Sequence, residues 1–401
     1  MNKQTQNSAT LLRYCVGIDV SKDSLQVCIS VIDTNGKITI KGSGKVVNKT
    51  PVFDSFLTWV DKHCKDKSLP IRYVMESTGV YHEQLAWYLF QKDLSVIVVL
   101  PNKAKHYLKS IGNKSKNDSI DARGLAQMGL EQSLKLWEPL SKNIYQLRML
   151  TRHYQTLQEL KNQSENQRHA ILHSRVVDKF TLKHLEKLIK VYEKQIDETK
   201  QEIAKLIEKD SNLKVKIAQL CQIKGLAQLS VATIVAETNG FTGFESIRQL
   251  VSFAGYDVVE NQSGQRVGKT RISKKGNSRI RRILHLPAFN AVRFGEPTCQ
   301  ALFERVFERT KIKMKGYVAV QKKLLTLCYA IWKNGTEYNR TGGPAKLFQQ
   351  CQRTPKYRQK NSPDQRDYTG YSCLKQLFRL SPKNIKKILF QNLYFKTVPA
   401  I

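Results

Sequence analysis

Short apolar runs that end in an acidic residue constrain the first third of this chain most strongly. The run Tyr14–Ile18 is followed directly by Asp19. A second run, Ile71–Met75, is followed by Glu76. Runs of this length are typical of buried strands. Because a carboxylate cannot be buried without a partner, an acid at each strand end indicates a site at the sheet edge.

Two further acids, Asp118 and Asp121, open a predicted helix and lie three residues apart, on one helix face. Converging carboxylates bind hard divalent cations, here Mg²⁺ or Mn²⁺. Two such ions, about 3.5–4 Å apart, can clamp the oxygens of a phosphodiester. Asp19, Glu76, Asp118 and Asp121 are therefore the predicted metal ligands and catalytic acids. The plainer alternatives are that Asp19 is a turn residue and Asp118 caps the helix.

The rest of the first third predicts an α/β domain over residues 13–135. Asn35-Gly36 is a hairpin signal, and Thr50-Pro51 is a helix start with Thr50 as cap. We expect three antiparallel strands, extended by parallel strands and covered by helices. The remaining predicted elements are the strands Ser24–Val31, Lys37–Ile40 and Ser95–Leu100 and the helix Tyr81–Gln91.

Residues 143–210 show a heptad pattern typical of a coiled-coil hairpin. The downstream seam is Leu185, Ile189, Tyr192, Ile196, Thr199, Ile203 and Leu206, and its upstream partner is Leu147, Leu150, Tyr154 and Leu157. The pattern breaks near Val177–Thr181, which is the predicted hairpin tip. Such a seam either joins two helices of one chain or forms a contact between chains.

Residues 216–335 predict a second, mainly helical domain. Lys224 and Gly225 lie at a predicted turn between two helices, which is either an ordinary turn or a phosphate site. A basic tract follows, with no acid between Gln262 and Glu296. Its cations are Arg266, Lys269, Arg271, Lys274, Lys275, Arg279, Arg281 and Arg282. Interspersed glycines favour phosphate contact over a solvated face, and Arg281 and Arg282 suit bidentate clamping.

The charge of the whole chain indicates a polyanionic partner. Its 401 residues carry a formal net charge of +34, which favours nucleic acid. Residues 341–401 predict a basic tail with non-specific nucleic-acid affinity. No apolar run long enough to span a membrane and no secretory signal are present. The eight cysteines form no CxxC pair, which argues against a zinc ribbon or disulfide framework and favours a cytoplasmic location.

Six motifs in order carry a resemblance to a known family over about residues 13–335. They are GIDVSKDSL, ESTGVYHEQLAWYL, KSKNDSIDARGLAQ, IKGLAQLSVATIVAE, LVSFAGYDVVENQSG and RISKKGNSRIRRILHLPA. Together they resemble the RuvC-like transposases of the insertion-sequence 110 family and the related Piv-type DNA invertases. The resemblance implies an RNase H-like (RuvC-like) domain, then a coiled coil, then a helical transposase domain.

The resemblance also implies specific roles. Asp19, Glu76, Asp118 and Asp121 match the family's metal-binding acids, and Ser263 matches its nucleophilic serine. It implies DNA strand exchange through a phosphoserine link, guided by a non-coding RNA. It further implies a homo-oligomer, a dimer or tetramer, in which the serine domain of one protomer completes the acidic site of another. The tail beyond about residue 340 exceeds the usual pattern.

Other interpretations stay open at this point. Ser263, beside Gly264, is also an ordinary turn residue by type, and Ser273 is a competing nucleophile. Lys116 and Arg123 flank the acid pair and either hold DNA phosphates or offset its charge. A hydrolytic two-metal nuclease of the junction-resolvase type, with Ser263 a bystander, is one alternative function. A non-catalytic nucleic-acid-packaging protein is the other. The sequence contains no GxxxxGK[ST] phosphate-binding motif, so it does not indicate use of ATP.

Overall fold

The structure is a computed structural model that describes residues 9–77, 79–112, 117–260, 262–263, 266–268, 270–335 and 338. The predictions made for Lys116, Lys269 and residues 341–401 lie outside this part of the chain. Within it, no helix has both the length and the apolar composition needed to cross a membrane. The described residues, which end at Tyr338, form one compact unit.

A five-stranded mixed sheet forms the core of the N-terminal region. Its strands are β1 (Leu11–Val20), β2 (Ser24–Asp33), β3 (Ile38–Val47), β4 (Ile71–Glu76) and β5 (Ser95–Val99). The order is β3-β2-β1-β4-β5. The first three strands pair antiparallel, whereas β4 runs parallel to both β1 and β5. This confirms the predicted RNase H-like arrangement, including the hairpin at Gly36, where φ is 77°.

Strand β3 is longer than the sequence predicted, because it continues past Ile40 to Val47. Its glycines argue against a strand by type, but Gly42 makes room for a helix side chain. A Cβ atom at Gly42 would lie 2.6 Å from the His63 ring, whereas one at Gly44 would make ordinary contact with Trp59 at 3.6 Å. Gly42 therefore lets the strand pass beneath His63.

Four α-helices accompany the sheet. They are α1 (Phe53–His63), α2 (Glu83–Gln91), α3 (Pro101–Ser110) and α4 (Asp118–Glu131). A short 3-10 helix, Thr50–Val52, precedes α1, with Pro51 in its first turn as predicted. Thr50 is not the cap, because Lys49 occupies that position and makes no side-chain capping bond. Helix α2 begins two residues after the predicted Tyr81.

Helix α4 packs on the sheet at backbone distance over Gly17. A Cβ atom there would lie 2.1 Å from the Ala122 carbonyl oxygen and 2.2 Å from the Ala126 nitrogen. Farther along, a Cβ at Gly129 would lie 2.4 Å from Cys15 Sγ. Since Ala122 lies over Gly17 and Gly129 over Cys15, the helix runs opposite to β1.

Two arginines at the beginning of the strands cap the carboxyl end of α4. Arg13 Nε donates to the Leu130 carbonyl oxygen at 3.1 Å, and Arg72 donates to the Gly129 carbonyl oxygen at 3.2 Å. Cations stabilise this end of a helix because its carbonyls carry a partial negative charge. The amino end of α4 therefore lies at the carboxyl ends of β1 and β4.

Two 31-residue helices, α5 (Lys142–Leu172) and α6 (Lys179–Lys209), form a hairpin. The predicted seam residues of α6 are buried, apart from Tyr192, which is half-buried. The upstream seam differs from the prediction near its start. Leu147, with Leu150 and Tyr154 beside it, joins the core of the C-terminal helices as well as the end of α6. The hairpin and the helical domain thus share one hydrophobic core.

Seven helices and four two-residue strands complete the described chain. The helices are α7 (Ser211–Cys221), α8 (Gln228–Glu237), α9 (Ile247–Phe253), α10 (Ser278–Ile283), α11 (His285–Arg293), α12 (Pro297–Thr310) and α13 (Lys313–Asn334). The strands are β6 (Val258–Val259), β7 (Gln262–Ser263), β8 (Arg266–Val267) and β9 (Arg271–Ile272). The described C-terminal region is therefore mainly helical, as predicted.

We predict that Gly17→Ala destabilises the protein strongly. The added methyl group would meet the rigid backbone of α4, and overpacking of this kind costs roughly 3 kcal/mol. Thermal unfolding followed by circular dichroism should show a melting temperature several degrees lower. Gly243→Ala is the matched control, since a Cβ atom there meets nothing within 4 Å. Equal melting temperatures for the two variants would contradict the packing described for α4.

Candidate active site

Asp19 and Glu76 lie side by side at the carboxyl ends of neighbouring parallel strands. The register pairs Ile18 of β1 with Met75 of β4, so the next residues along are the two acids. Each acid lies two residues beyond a position covered by α4, namely Gly17 and Val74. Because side chains alternate across a strand, both acids belong to the face that α4 covers.

Asp118 and Asp121 lie in the first turn of α4, near the same sheet edge. Asp118 is four residues before Ala122, hence on the helix face that lies over Gly17. Along β1, Asp19 is about 7 Å beyond Gly17. Along α4, Asp118 is about 6 Å beyond Ala122 in the same direction. The backbone therefore brings all four acids to one edge of the sheet, although they come from three separate segments.

The structure assigns the helix cap to a residue other than Asp118. Asn117 Oδ1 accepts hydrogen bonds from the backbone nitrogens of Ser119 and Ile120, at 2.7 and 3.2 Å. The alternative in which Asp118 caps α4 is therefore wrong. Both aspartates still gain from the partial positive charge at the helix start.

The donor set at this edge suits a hard divalent cation, because carboxylate oxygens are the ligands such ions prefer. In the part of the chain described here, no three His, Cys, Asp or Glu side chains are grouped closely enough to hold a metal ion. The acids lie at neighbouring backbone positions rather than in a closed coordination shell. Asp118 is exposed, whereas Asp19, Glu76 and Asp121 are half-buried.

Asn48 fastens the two acid-bearing segments together, a role the sequence did not reveal. Its Nδ2 donates to the carbonyl oxygens of Ser21, at 2.9 Å, and Tyr81, at 3.1 Å. Ser21 follows Asp19 at the end of β1, and Tyr81 follows Glu76 beyond β4. The buried Asn48 therefore fixes the chain on both sides of the candidate site.

His82 lies next to Tyr81 and is 8% exposed. Its Nδ1 has no hydrogen-bond partner among the described residues. Burial lowers the pKa of His82, since a charged ring is poorly solvated there. The ring is accordingly neutral at pH 7.

Ser263 lies in a segment of two short antiparallel strand pairs between α9 and α10, here called the β-arm. Strand β6 pairs with β9, and between them along the chain β7 pairs with β8. In the second pair Ser263 is opposite Arg266. The sequence predicted a turn beside Ser263; the strand pairing itself was not predicted, because each strand has only two residues. The backbone register therefore places Ser263 across from a basic residue of the tract.

The competing serine, Ser273, lies at the base of this arm. Its backbone nitrogen donates to the Asp257 carbonyl oxygen at 2.8 Å, and its hydroxyl accepts a bond from the Lys275 nitrogen at 3.3 Å. Ser273 thus has a local turn-forming role in the structure.

Six cations of the basic tract have described side chains, and five of them are exposed, namely Arg271, Lys274, Lys275, Arg279 and Arg282. Two bind protein groups: Arg281 donates to the Ala254 carbonyl oxygen at 2.8 Å, and Arg282 forms an ion pair with Glu159 of α5. Arg271, Lys274, Lys275 and Arg279 are therefore the cations placed to meet phosphates.

Lys224 and Arg123, predicted to bind nucleic acid, have different surroundings. The Lys224 nitrogen donates to Glu296 Oε2 at 3.4 Å, and its Nζ donates to the Phe294 carbonyl oxygen at 3.3 Å. A Cβ atom at Gly225 would lie 2.6 Å from the Pro287 carbonyl oxygen, so this turn packs on α11. Arg123 is exposed on α4, near the acid pair.

A buried carboxylate, Glu237, joins the long helix α5 to the base of the β-arm. Arg152 Nε and Nη2 donate to its two oxygens at 2.7 and 3.0 Å, and Asn277 Nδ2 donates at 2.7 Å. Burial acts to raise the pKa of Glu237, but bonding to Arg152 outweighs burial and holds it below its ordinary value. Arg148, one turn earlier, donates to the Ala236 carbonyl oxygen at 2.9 Å. Sequence reasoning missed this cluster because its members are up to 129 residues apart.

The same helix contacts the N-terminal domain. Tyr145 O–H donates to Glu83 Oε2 at 2.9 Å, which links α5 to α2. Within two helical turns α5 is therefore bonded to both halves of the protein.

Two transposase family models match this chain. One, for the DEDD-type domain of IS110 elements and described as "Transposase", matches residues 16–176. The other, described as "Transposase IS116/IS110/IS902 family", matches residues 217–304. The pilin gene-inverting proteins of Moraxella lacunata and Moraxella bovis are each 26% identical over 329 residues, which is 81% of this chain and 97% of theirs.

Two solved structures of Thermus thermophilus RuvC, one in complex with a Holliday junction substrate, are similar to 31% of this chain and 99% of theirs. Their identities are 10% and 13%, with TM-scores of 0.24 and 0.25.

The family matches, together with the RNase H-like sheet order, define the class of this protein as a transposase. The chain belongs to the IS110 family of transposases.

We predict that Glu237→Gln lowers the free energy of unfolding by roughly 3 kcal/mol, because it breaks a buried charged pair. The folded-state pKa of Glu237 is depressed, so its contribution exists above the ordinary carboxyl value of 4.5 and is lost as pH falls below it. The variant should therefore lose less stability than the wild type when pH is lowered from 5 to 3, as chemical denaturation would show. Glu198→Gln, in the exposed pair with Lys194, is the control and should cost below about 1 kcal/mol.

Proposed function

We propose that this transposase cuts and rejoins DNA through a covalent phosphoserine link at Ser263, with Mg²⁺ or Mn²⁺ held by the four acids and with guidance by a non-coding RNA. The convergence of Asp19, Glu76, Asp118 and Asp121 on one sheet edge is the observation that carries this proposal. The β-arm and its exposed cations support the second half of the site.

The acids have a clear role in this scheme. Asp19 and Glu76 would hold the cation from the sheet side, and Asp118 and Asp121 from the helix side. The bound cation would supply Lewis-acid polarisation of the scissile phosphate. Asn48 keeps the two strand ends at a fixed separation, so the sheet-side ligands need little rearrangement.

The serine step is a balanced exchange of ester bonds. Ser263 Oγ forms a bond to phosphorus, the bond from phosphorus to one deoxyribose oxygen breaks, and that oxygen leaves as a hydroxyl with the proton given up by the serine. Rejoining reverses these changes with a hydroxyl from another strand. One phosphoester replaces another at each stage, so no ATP is needed, which agrees with the lack of a GxxxxGK[ST] motif.

The exposed cations of the arm fit the negative charge around the serine. Arg271, Lys274, Lys275 and Arg279 are solvent-facing near its base, and Ser263 is opposite Arg266 in register. Cations in such positions position phosphates and stabilise charge that develops on the transferred phosphoryl group. They also make DNA affinity fall steeply with salt.

The RNA and the oligomer belong to the same proposal. The net charge of +34 suits a protein that binds both DNA and RNA. The serine and the acids lie in separate domains, which favours a homodimer or homotetramer in which one protomer completes the site of another. The Moraxella relatives are named as pilin gene-inverting proteins, and DNA inversion is one outcome of such strand exchange.

We predict that Ser263→Ala abolishes the covalent protein–DNA adduct. The protein would be incubated with labelled DNA carrying the segments that flank its gene, together with RNA transcribed from them, and denaturing gels would detect the adduct. Ser273→Ala is the matched control and should keep most of the adduct. A Ser263→Ala protein that still cuts the DNA at wild-type rate would instead identify a hydrolytic two-metal nuclease.

We predict that Asp19→Asn and Glu76→Gln each weaken Mn²⁺ binding by about tenfold or more, since even residues that only support a metal ligand have effects of that size. Isothermal titration calorimetry measures this directly, without any DNA. Strand cleavage should be lost in the same variants. Asp23→Asn, an exposed acid just beyond β1, should leave both readouts unchanged. Wild-type Mn²⁺ affinity in all three variants would leave a nucleic-acid-packaging protein as the better description.

A further inference from the structure

Four aromatic rings from three helices form a continuous row on the C-terminal domain. Phe289 of α11 and Tyr317 of α13 have ring centroids 5.3 Å apart, and Tyr317 and Phe303 of α12 are 4.6 Å apart. Phe303 and Phe307 follow at 6.0 Å, with nearly parallel rings. We refer to Phe289, Tyr317, Phe303 and Phe307 as the aromatic row.

The aromatic row runs from the edge of the hydrophobic core, against which Phe303 packs, to the surface. Phe289 is 43% exposed, and the other three rings are half-buried. Gly316 allows the row to form, since a Cβ atom there would lie 2.6 Å from the Phe303 ring. Phe289 therefore ends the row with a ring that solvent reaches.

The turn from α12 to α13 places positive charge beside this row. Its four exposed cations, here called the cationic turn, are Arg309, Lys311, Lys313 and Lys315. No acid occurs in the sequence between Glu308 and Glu337. Lys313 is one helical turn before Tyr317, so the two share a helix face. Two apolar side chains of the turn, Ile312 and Met314, are also about half exposed, at 47% and 52%.

We propose that the aromatic row and the cationic turn form a binding surface for unpaired nucleotides of an RNA. Exposed rings stack on bases, and neighbouring cations follow the backbone, which is the recognition mode of proteins that bind single strands. A duplex keeps its bases stacked internally and offers only phosphates to such a surface. This inference rests on the proposed use of RNA, and it names a surface separate from the basic tract at residues 266–282.

We assign this surface to RNA rather than DNA because the two differ in whether their bases are unpaired. Structured RNA presents unpaired loops whose bases are already unstacked, and these are the usual targets of protein recognition. Cellular DNA is double-stranded and must first be opened. The free energy of melting therefore disfavours DNA as the resting partner of this surface.

The first test compares Phe289→Ala with Leu286→Ala in the full-length protein. Leu286 lies one turn earlier on α11 and is 64% exposed, so its truncation removes apolar area without a ring. Fluorescence anisotropy would follow a labelled RNA hairpin with an eight-nucleotide loop, a fully paired RNA duplex and a single-stranded DNA of the loop sequence. Loss of one stacked base should weaken hairpin binding by about fivefold or more in Phe289→Ala. Leu286→Ala should change it less than twofold, and duplex binding should stay the same in both.

The second test removes charge from the turn. Lys311, Lys313 and Lys315 would be replaced together by alanine, with Lys183, Lys187 and Lys190 of α6, all exposed, as the matched triple control. If the alanine triple loses contacts to three phosphates, the magnitude of the slope of log affinity against log salt concentration should fall by about 2 for the hairpin. The α6 triple should change the slope by less than half as much.

Several results would overturn the inference. Equal losses in Phe289→Ala and Leu286→Ala would reduce the surface to general apolar contact, and an equal loss on the duplex would remove the stacking role. Tighter binding of the single-stranded DNA than of the hairpin would assign the surface to DNA. A change in sedimentation coefficient in Phe289→Ala would assign it to a second copy of the chain. Binding is measured without strand exchange, so a failed Ser263 adduct assay leaves this test intact.

Discussion

The approach of α4 to the sheet at Gly17 is the constraint on which the N-terminal domain depends. No residue with a side chain could let the Ala122 and Ala126 backbone lie so close to β1. Arg13 and Arg72 then hold the other end of the helix at the strand starts. These contacts determine both the position and the direction of α4. Its first turn therefore lies at the carboxyl ends of β1 and β4, beside Asp19 and Glu76.

Electrostatics gives this arrangement its chemical meaning. Four carboxylates at one edge repel each other, so the arrangement does not stabilise the fold by itself. The surrounding protein is strongly cationic, and the partial positive charge of the α4 amino end adds to it. In the proposed function, this acidic edge would concentrate divalent cations, while the cationic surface around it would attract nucleic acid. Metal and phosphate would then meet at the same edge of the sheet.

Local patterns were enough to predict the central strands, the Gly36 hairpin and the segments that carry the acids. Each of these depends on neighbours in sequence, such as an apolar run or a turn dipeptide. The extension of β3 was missed, because Gly42 is needed to make room for His63, which is 21 residues away. Asn48, Glu237 and the shared core of α5 were missed for the same reason. Their partners are distant in sequence, and no periodicity marks a single hydrogen bond across such a separation.

The continuity of α5 has a mechanical consequence. Its 31 residues amount to about 46 Å of uninterrupted helix, fastened near one end to Glu83 and to Glu237. The distal part, paired with α6, projects from these two anchor points as a stiff lever arm. A displacement of the far tip is therefore transmitted through one helix to both the N-terminal domain and the C-terminal helical domain.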